Sequence, residues 1–211
     1  MNTRKKVGIM GGTFNPIHIG HLILGENAYE QFGLDTVLFM PSGNPPHKRN
    51  LHGTSDQQRI DMVARAIEDN DHFELSTVEM HENGYTYTRQ TLEKLKVQHP
   101  DTDYYFIMGA DSLLSFSEWR DPQRISELCT IVVAVRDHLP TEELDLAIED
   151  VKRRFNADVR KLTTVNIDVS SSMIRDWVRE GRSFRYYTPD SVVRYILEQH
   201  IYEETDNDRS S

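Results

Sequence analysis

Little in this sequence suits a secreted or membrane-borne protein. Its one cysteine, Cys129, excludes an internal disulfide and fits a reducing compartment, so a cytoplasmic location is expected. No run approaches the roughly 20 apolar residues that a membrane span requires, and the opening Met-Asn-Thr-Arg-Lys-Lys lacks the apolar core of a signal peptide. Positive charge is scarce. With 24 Lys and Arg against 34 Asp and Glu, the formal charge is −10, which argues against nucleic acid as a partner. A phosphate pocket in such a chain must be local and built from few cations. Two nucleotide fingerprints are also missing. Gly8-x-x-Gly11-Gly12 is not G-x-G-x-x-G, and no G-x-x-x-x-G-K-[ST] loop occurs, which disfavours hydride transfer and P-loop chemistry. His18 and His21 stand three apart, not four as in H-E-x-x-H, and no cysteine cluster supports them, which weighs against zinc.

What is present reads as strand alternating with helix. Apolar, β-rich runs predict strands at 6–10, 36–40, 73–76, 104–108, 129–135 and 162–167. Helical patterns fill the intervals. One runs from about His18 to a stop at Gly33, and one is capped by Ser55 with Ile60, Met62, Val63 and Ile67 inward. Others open near Gly84, cover 141–155, begin at Ser170, and follow Pro189 with Val192, Val193, Ile196 and Leu197 inward. Short helical pieces lie on either side of Trp119. The expected class is α/β: a doubly wound, mostly parallel sheet with helices on both faces. Residues 1–202 read as one domain and 203–211 as a frayed acidic tail. In such sheets ligands bind beyond the carboxyl ends of the strands. The turns at Gly11-Gly12, Pro41, Gly109-Ala110-Asp111 and Arg136 are expected to gather there.

The chemistry concentrates in Gly11-Gly12-Thr13-Phe14-Asn15-Pro16-Ile17-His18-Ile19-Gly20-His21. A glycine turn feeding a helix N-terminus is an anion site, because free N–H groups and the positive end of the helix dipole point at the ligand. His18 and His21 share a face of the first helical turn, beside that cradle. Near the other end, Ser170-Ser171-Ser172 caps a helix that carries Arg175 one turn on.

The first stretch resembles the signature of the nucleotidylyltransferase superfamily, G-x-F-x-P-x-H-x-G-H. Val169-Ser170-Ser171-Ser172-Met173-Ile174-Arg175 resembles its second signature, I-S-S-T-x-I-R. Pro45-Pro46-His47-Lys48, Tyr85-Thr86-Tyr87 and Gly109-Ala110-Asp111 are similar to the bacterial nicotinate-nucleotide adenylyltransferase branch. The sequence departs from these patterns at Asn15, where many members carry Asp, at Ser172 in place of Thr, and at Arg120 in place of a second aromatic.

The resemblance implies a Rossmann-like fold and transfer of AMP from ATP to nicotinate mononucleotide, giving deamido-NAD and pyrophosphate. It assigns His18, His21 and Arg175 to catalysis. ATP falls to Gly11, Gly12, Thr13, Phe14, Gly109, Asp111, Ser170, Ser171 and Ser172. The mononucleotide phosphate falls to His47 and Lys48, and the nicotinate ring to Trp119 and Thr86. Mg²⁺ is implied as cofactor, carried mainly by the ATP phosphates. A second copy of the chain stays open as a partner. Related transferases acting on nicotinamide mononucleotide, pantetheine phosphate or a sugar-alcohol phosphate stay open as well, as does a non-catalytic nucleotide sensor.

Overall fold

The chain alternates strand and helix through β1 (Lys5–Gly12), α1 (Ile19–Phe32), β2 (Thr36–Pro41), α2 (Asp56–Ile67), β3 (Phe73–Leu75), α3 (Thr88–Gln98) and β4 (Thr102–Gly109). Two short helices, α4 (Ala110–Leu114) and α5 (Pro122–Leu128), flank a 3₁₀ turn at Phe116–Glu118. β5 (Cys129–Ala134), α6 (Thr141–Phe155), β6 (Val159–Leu162), α7 (Ser171–Arg179) and α8 (Asp190–Glu198) complete the order. This computed structural model describes residues 4–43, 54–80, 86–135 and 141–203. Arg136, with its expected turn, and the tail from 204 lie outside the described residues.

The strands form one sheet, ordered β3-β2-β1-β4-β5-β6, and every pairing is parallel. Side chains alternate between two apolar layers, as strand geometry demands. In β5, Ile131 and Val133 face α3–α6, whereas Val132 and Ala134 join α1, α2, α7 and α8. Helices therefore cover both faces, and the central strands read as continuous apolar runs. The winding direction reverses between β1 and β4, which are neighbours. Their carboxyl ends, Gly12 and Gly109, frame the crevice where a doubly wound sheet binds ligands. No helix among the described residues is long and apolar enough to cross a membrane.

Local signals explain the helix ends. Gly33 stops α1 in the left-handed conformation (φ 57°), a state that costs glycine least. Ser55 opens α2 by accepting from Gln58 N, and Asp121 with Pro122 opens α5.

Three expectations need correction. Gly11 and Gly12 are not the turn: they remain in β1, paired with Met40 and Pro41. The chain bends after them, at Phe14 (φ 48°). The last strand runs 159–162 instead of 162–167. Its partner β5 ends opposite Leu162 at Ala134, and Thr163 N then donates to the Gln31 side chain at 2.9 Å. Leu197 is half exposed. The chain folds back after α8, with Ile201 N donating to Ile196 O at 3.0 Å, and Tyr195, Ile201 and Tyr202 fill the core in its place.

Candidate active site

Beyond the carboxyl end of β1, residues 14–18 form a buried bend into α1. His18 occupies the N-cap, and its ring stacks on that of His21, centroids 3.6 Å apart and planes inclined by 27°. The His18 backbone N donates to His21 Nδ1 at 3.2 Å. With Nδ1 accepting, the proton of a neutral His21 ring belongs on Nε2, which makes that atom a donor. Phe14 packs edge-on against His21 at 5.0 Å. Gly20 lies close to these same groups: a Cβ there would stand 3.1 Å from both His18 Nδ1 and Val169 Cγ1, so one of them would have to shift. The two imidazoles thus lie packed together at a helix N-terminus, where an anion is favoured.

The C-terminal segment grips this bend residue by residue. Arg175 Nη1 donates to the Asn15 carbonyl at 2.7 Å, and Ser171 Oγ donates to the Pro16 carbonyl at 2.8 Å. Thr188 Oγ1 donates to the Ile17 carbonyl at 2.8 Å, and Ile19 N donates to Tyr187 O at 3.0 Å. The Tyr202 hydroxyl donates to Asn15 Oδ1 at 2.6 Å. Ser170 caps α7 by accepting from Met173 N, and its Oγ lies 3.0 Å from that of Ser172. Two helix N-termini, those of α1 and α7, are therefore tied to one loop. Burial lowers the Arg175 guanidinium from its ordinary value, yet arginine remains a cation.

Sequence reasoning missed Thr188, Tyr202 and Arg59. Arg59 is completely buried within α2. Its Nη1 donates to the carbonyls of Thr13 (2.9 Å) and Ser42 (2.7 Å), and its Nη2 donates to Gly43 O (3.3 Å) and Asp56 Oδ1 (2.6 Å). One guanidinium so joins the loops leaving β1 and β2. Ile60, expected inward, is only half buried beside it. The available signal was an arginine next to the apolar face of an amphipathic helix, too common a pattern to single out.

Next to this corner lies a cavity of about 630 Å³. Gly11, Gly12, Thr86, Tyr87, Trp119 and Arg120 are among the residues that line it. Trp119 meets Phe106 edge to face at 6.1 Å and leans on Phe116 at 5.6 Å. Thr86 is buried, and its hydroxyl has no hydrogen-bond partner among the described residues. The structure thus brings Thr86 and Trp119 together and joins them to the imidazole corner through β1. Gly109 closes β4, and Asp111 sits exposed in α4. His47, Lys48 and Tyr85 lie outside the described residues. No group of three or more His, Cys, Asp or Glu among the described residues is arranged to hold a metal.

The sequence pattern of the cytidylyltransferase-like family matches residues 9–176. A protein of Lachnoclostridium phytofermentans named "Probable nicotinate-nucleotide adenylyltransferase" is 41% identical over 198 residues, covering 94% of this chain and 99% of the relative. One of the same name from Desulfitobacterium hafniense (strain DSM 10664 / DCB-2) is 39% identical, covering 94% and 96%. The fold is shared with a nicotinic acid mononucleotide adenylyltransferase of Plasmodium falciparum solved with NaAD. That structure gives a TM-score of 0.76 at 19% identity, covering 94% of this chain and 97% of the other.

Proposed function

The chain belongs to the cytidylyltransferase-like family and, within it, to the nicotinate-nucleotide adenylyltransferases, and from that premise we propose how its site carries out the reaction. ATP and nicotinate mononucleotide are the substrates. An oxygen of the mononucleotide phosphate forms a bond to the α-phosphorus of ATP, while the bond from that phosphorus to the β-bridging oxygen breaks. Deamido-NAD and pyrophosphate are the products. The nucleophile comes with the substrate, so the protein needs neither an attacking side chain nor a strong base. Alignment and charge neutralisation are what it supplies.

The observation that carries this reading is the stacked His18–His21 pair at the N-terminus of α1. Its donors are fixed before substrate arrives, so they cost no reorganisation as charge moves toward the leaving pyrophosphate. The N-terminus of α7, with Ser170, Ser171 and Ser172, supplies a second set of N–H and hydroxyl donors for the β and γ phosphates. Arg175 adds positive charge behind the shared loop. Gly11, Gly12, Thr13 and Phe14 carry the nucleotide along the end of β1, with Gly109 and Asp111 on the neighbouring strand end.

On the acceptor side, Trp119 offers an aromatic face for the nicotinate ring and Thr86 a buried hydroxyl for its carboxylate. His47 and Lys48 bind the mononucleotide phosphate. Mg²⁺ fits a site of this kind because a triphosphate and water can supply most of its oxygen ligands, with Asp111 as the carboxylate on offer. When bound it neutralises phosphate charge. The enzyme works in the cytoplasm, in keeping with its single buried thiol.

Pyrophosphate release from ATP is the test. It should appear only when nicotinate mononucleotide is added. Release with phosphopantetheine in place of nicotinate mononucleotide, or ATP binding without any release, would overturn the assignment.

A further inference from the structure

Arg120 lines the same cavity as Thr86 and Trp119, and among the described residues it is the one cationic side chain that does. Its guanidinium carbon stands 4.6 Å from the centre of the Tyr87 ring. No hydrogen bond or ion pair engages it among the described residues. A guanidinium laid on an aromatic face keeps its in-plane N–H groups available, and that edge matches a carboxylate. The other charges on the cavity wall are Glu79 and Glu118. Glu79 accepts the Thr91 hydroxyl at 2.6 Å. A carboxylate on the wall disfavours an acidic ring substituent, and a cation on the same wall favours one. Arg120 stands on that wall, directly after the tryptophan.

Resting on the reading that this cavity takes the pyridine ring, we propose that Arg120 is a specificity residue. Its guanidinium binds the carboxylate of the nicotinate ring, together with the Thr86 hydroxyl, and so favours the acid over the amide. The amide has no charge for the arginine to meet. The preference therefore resides in the acid's affinity, not in exclusion of the amide by shape.

Steady-state kinetics of pyrophosphate release with nicotinate and nicotinamide mononucleotides, for the wild type, Arg120→Gln and Arg120→Lys, test this. Arg120→Gln should lower kcat/KM for the acid about tenfold, the scale of one charge-assisted hydrogen bond. The loss should lie in KM, with the amide changed less than about twofold and Arg120→Lys recovering part of it. Equal losses on acid and amide would overturn the proposal, since the arginine would then serve the phosphate the two substrates share. An unchanged ratio in both variants would overturn it too. A wild-type protein that turns over neither mononucleotide would remove the underlying reading, and the inference with it.

Discussion

The Tyr202 hydroxyl donates to Asn15 Oδ1 at 2.6 Å, joining residues 187 apart in sequence. Both are buried, and burial raises the phenol well above its ordinary value, so it remains a donor over the working pH range. The pair sets the position of the residue that precedes Pro16 and, beyond it, His18. Tyr202→Phe removes a buried donor from Asn15 Oδ1 and should cost about 1–3 kcal/mol in urea unfolding. It should also lower kcat more than it raises KM for ATP, because the histidines lose their support while the nucleotide's contacts remain.

His18→Ala should retain a cooperative unfolding transition yet lose on the order of 100-fold or more in kcat, the loss expected for one oriented donor. Gly20→Ala acts on the same ring from behind. Its Cβ would stand 3.1 Å from His18 Nδ1 and from Val169 Cγ1; displacement of the imidazole should bring its kcat between those of the wild type and His18→Ala.

Arg59→Ala removes the donors that serve Thr13 O, Ser42 O and Gly43 O and leaves a cavity in their place. A loss of about 3–5 kcal/mol is expected in urea unfolding. Arg59→Lys should recover little of it, since a point ammonium cannot span carbonyls that two guanidinium nitrogens now reach.

Alkali should destabilise the fold through Cys129. Burial raises its thiol from 9.0 to about 12 in the native state. The unfolded chain therefore loses this proton first, and the contribution to stability, complete below pH 9, is lost as pH rises from 9 towards 12. Tyr195, pushed up to about 12 by burial and by Asp61, acts in the same direction from its ordinary value of 10.0. Urea midpoints measured between pH 8 and 11 should fall less steeply in Cys129→Ala than in the wild type.

Much of this architecture could be read from local pattern. Gly33, Ser55, Pro122 and Ser170 mark helix ends through chemistry contained within a few residues, and each does so in the structure. The histidine pair was equally legible, since a spacing of three on a helix fixes a shared face. The scaffold behind the pair was not. Thr188 and Tyr202 reach the bend across 171 and 187 residues, and no local window contains both partners. Arg59 looked like an ordinary charged helix residue because its partners are backbone carbonyls, which carry no sequence signal. Glycine's preference for turns points to Gly11-Gly12 as the bend. Their pairing with β2 keeps them extended, and Phe14 adopts the positive φ, its ring buried beneath His21.

The central claim is that the two ends of the chain converge on one triphosphate. A crystal structure with a non-hydrolysable ATP analogue and Mg²⁺ tests it most directly. The account predicts phosphate oxygens within hydrogen-bond distance of the His18 and His21 rings and of the N-terminal N–H groups of α7. A triphosphate bound away from both helix ends would contradict it.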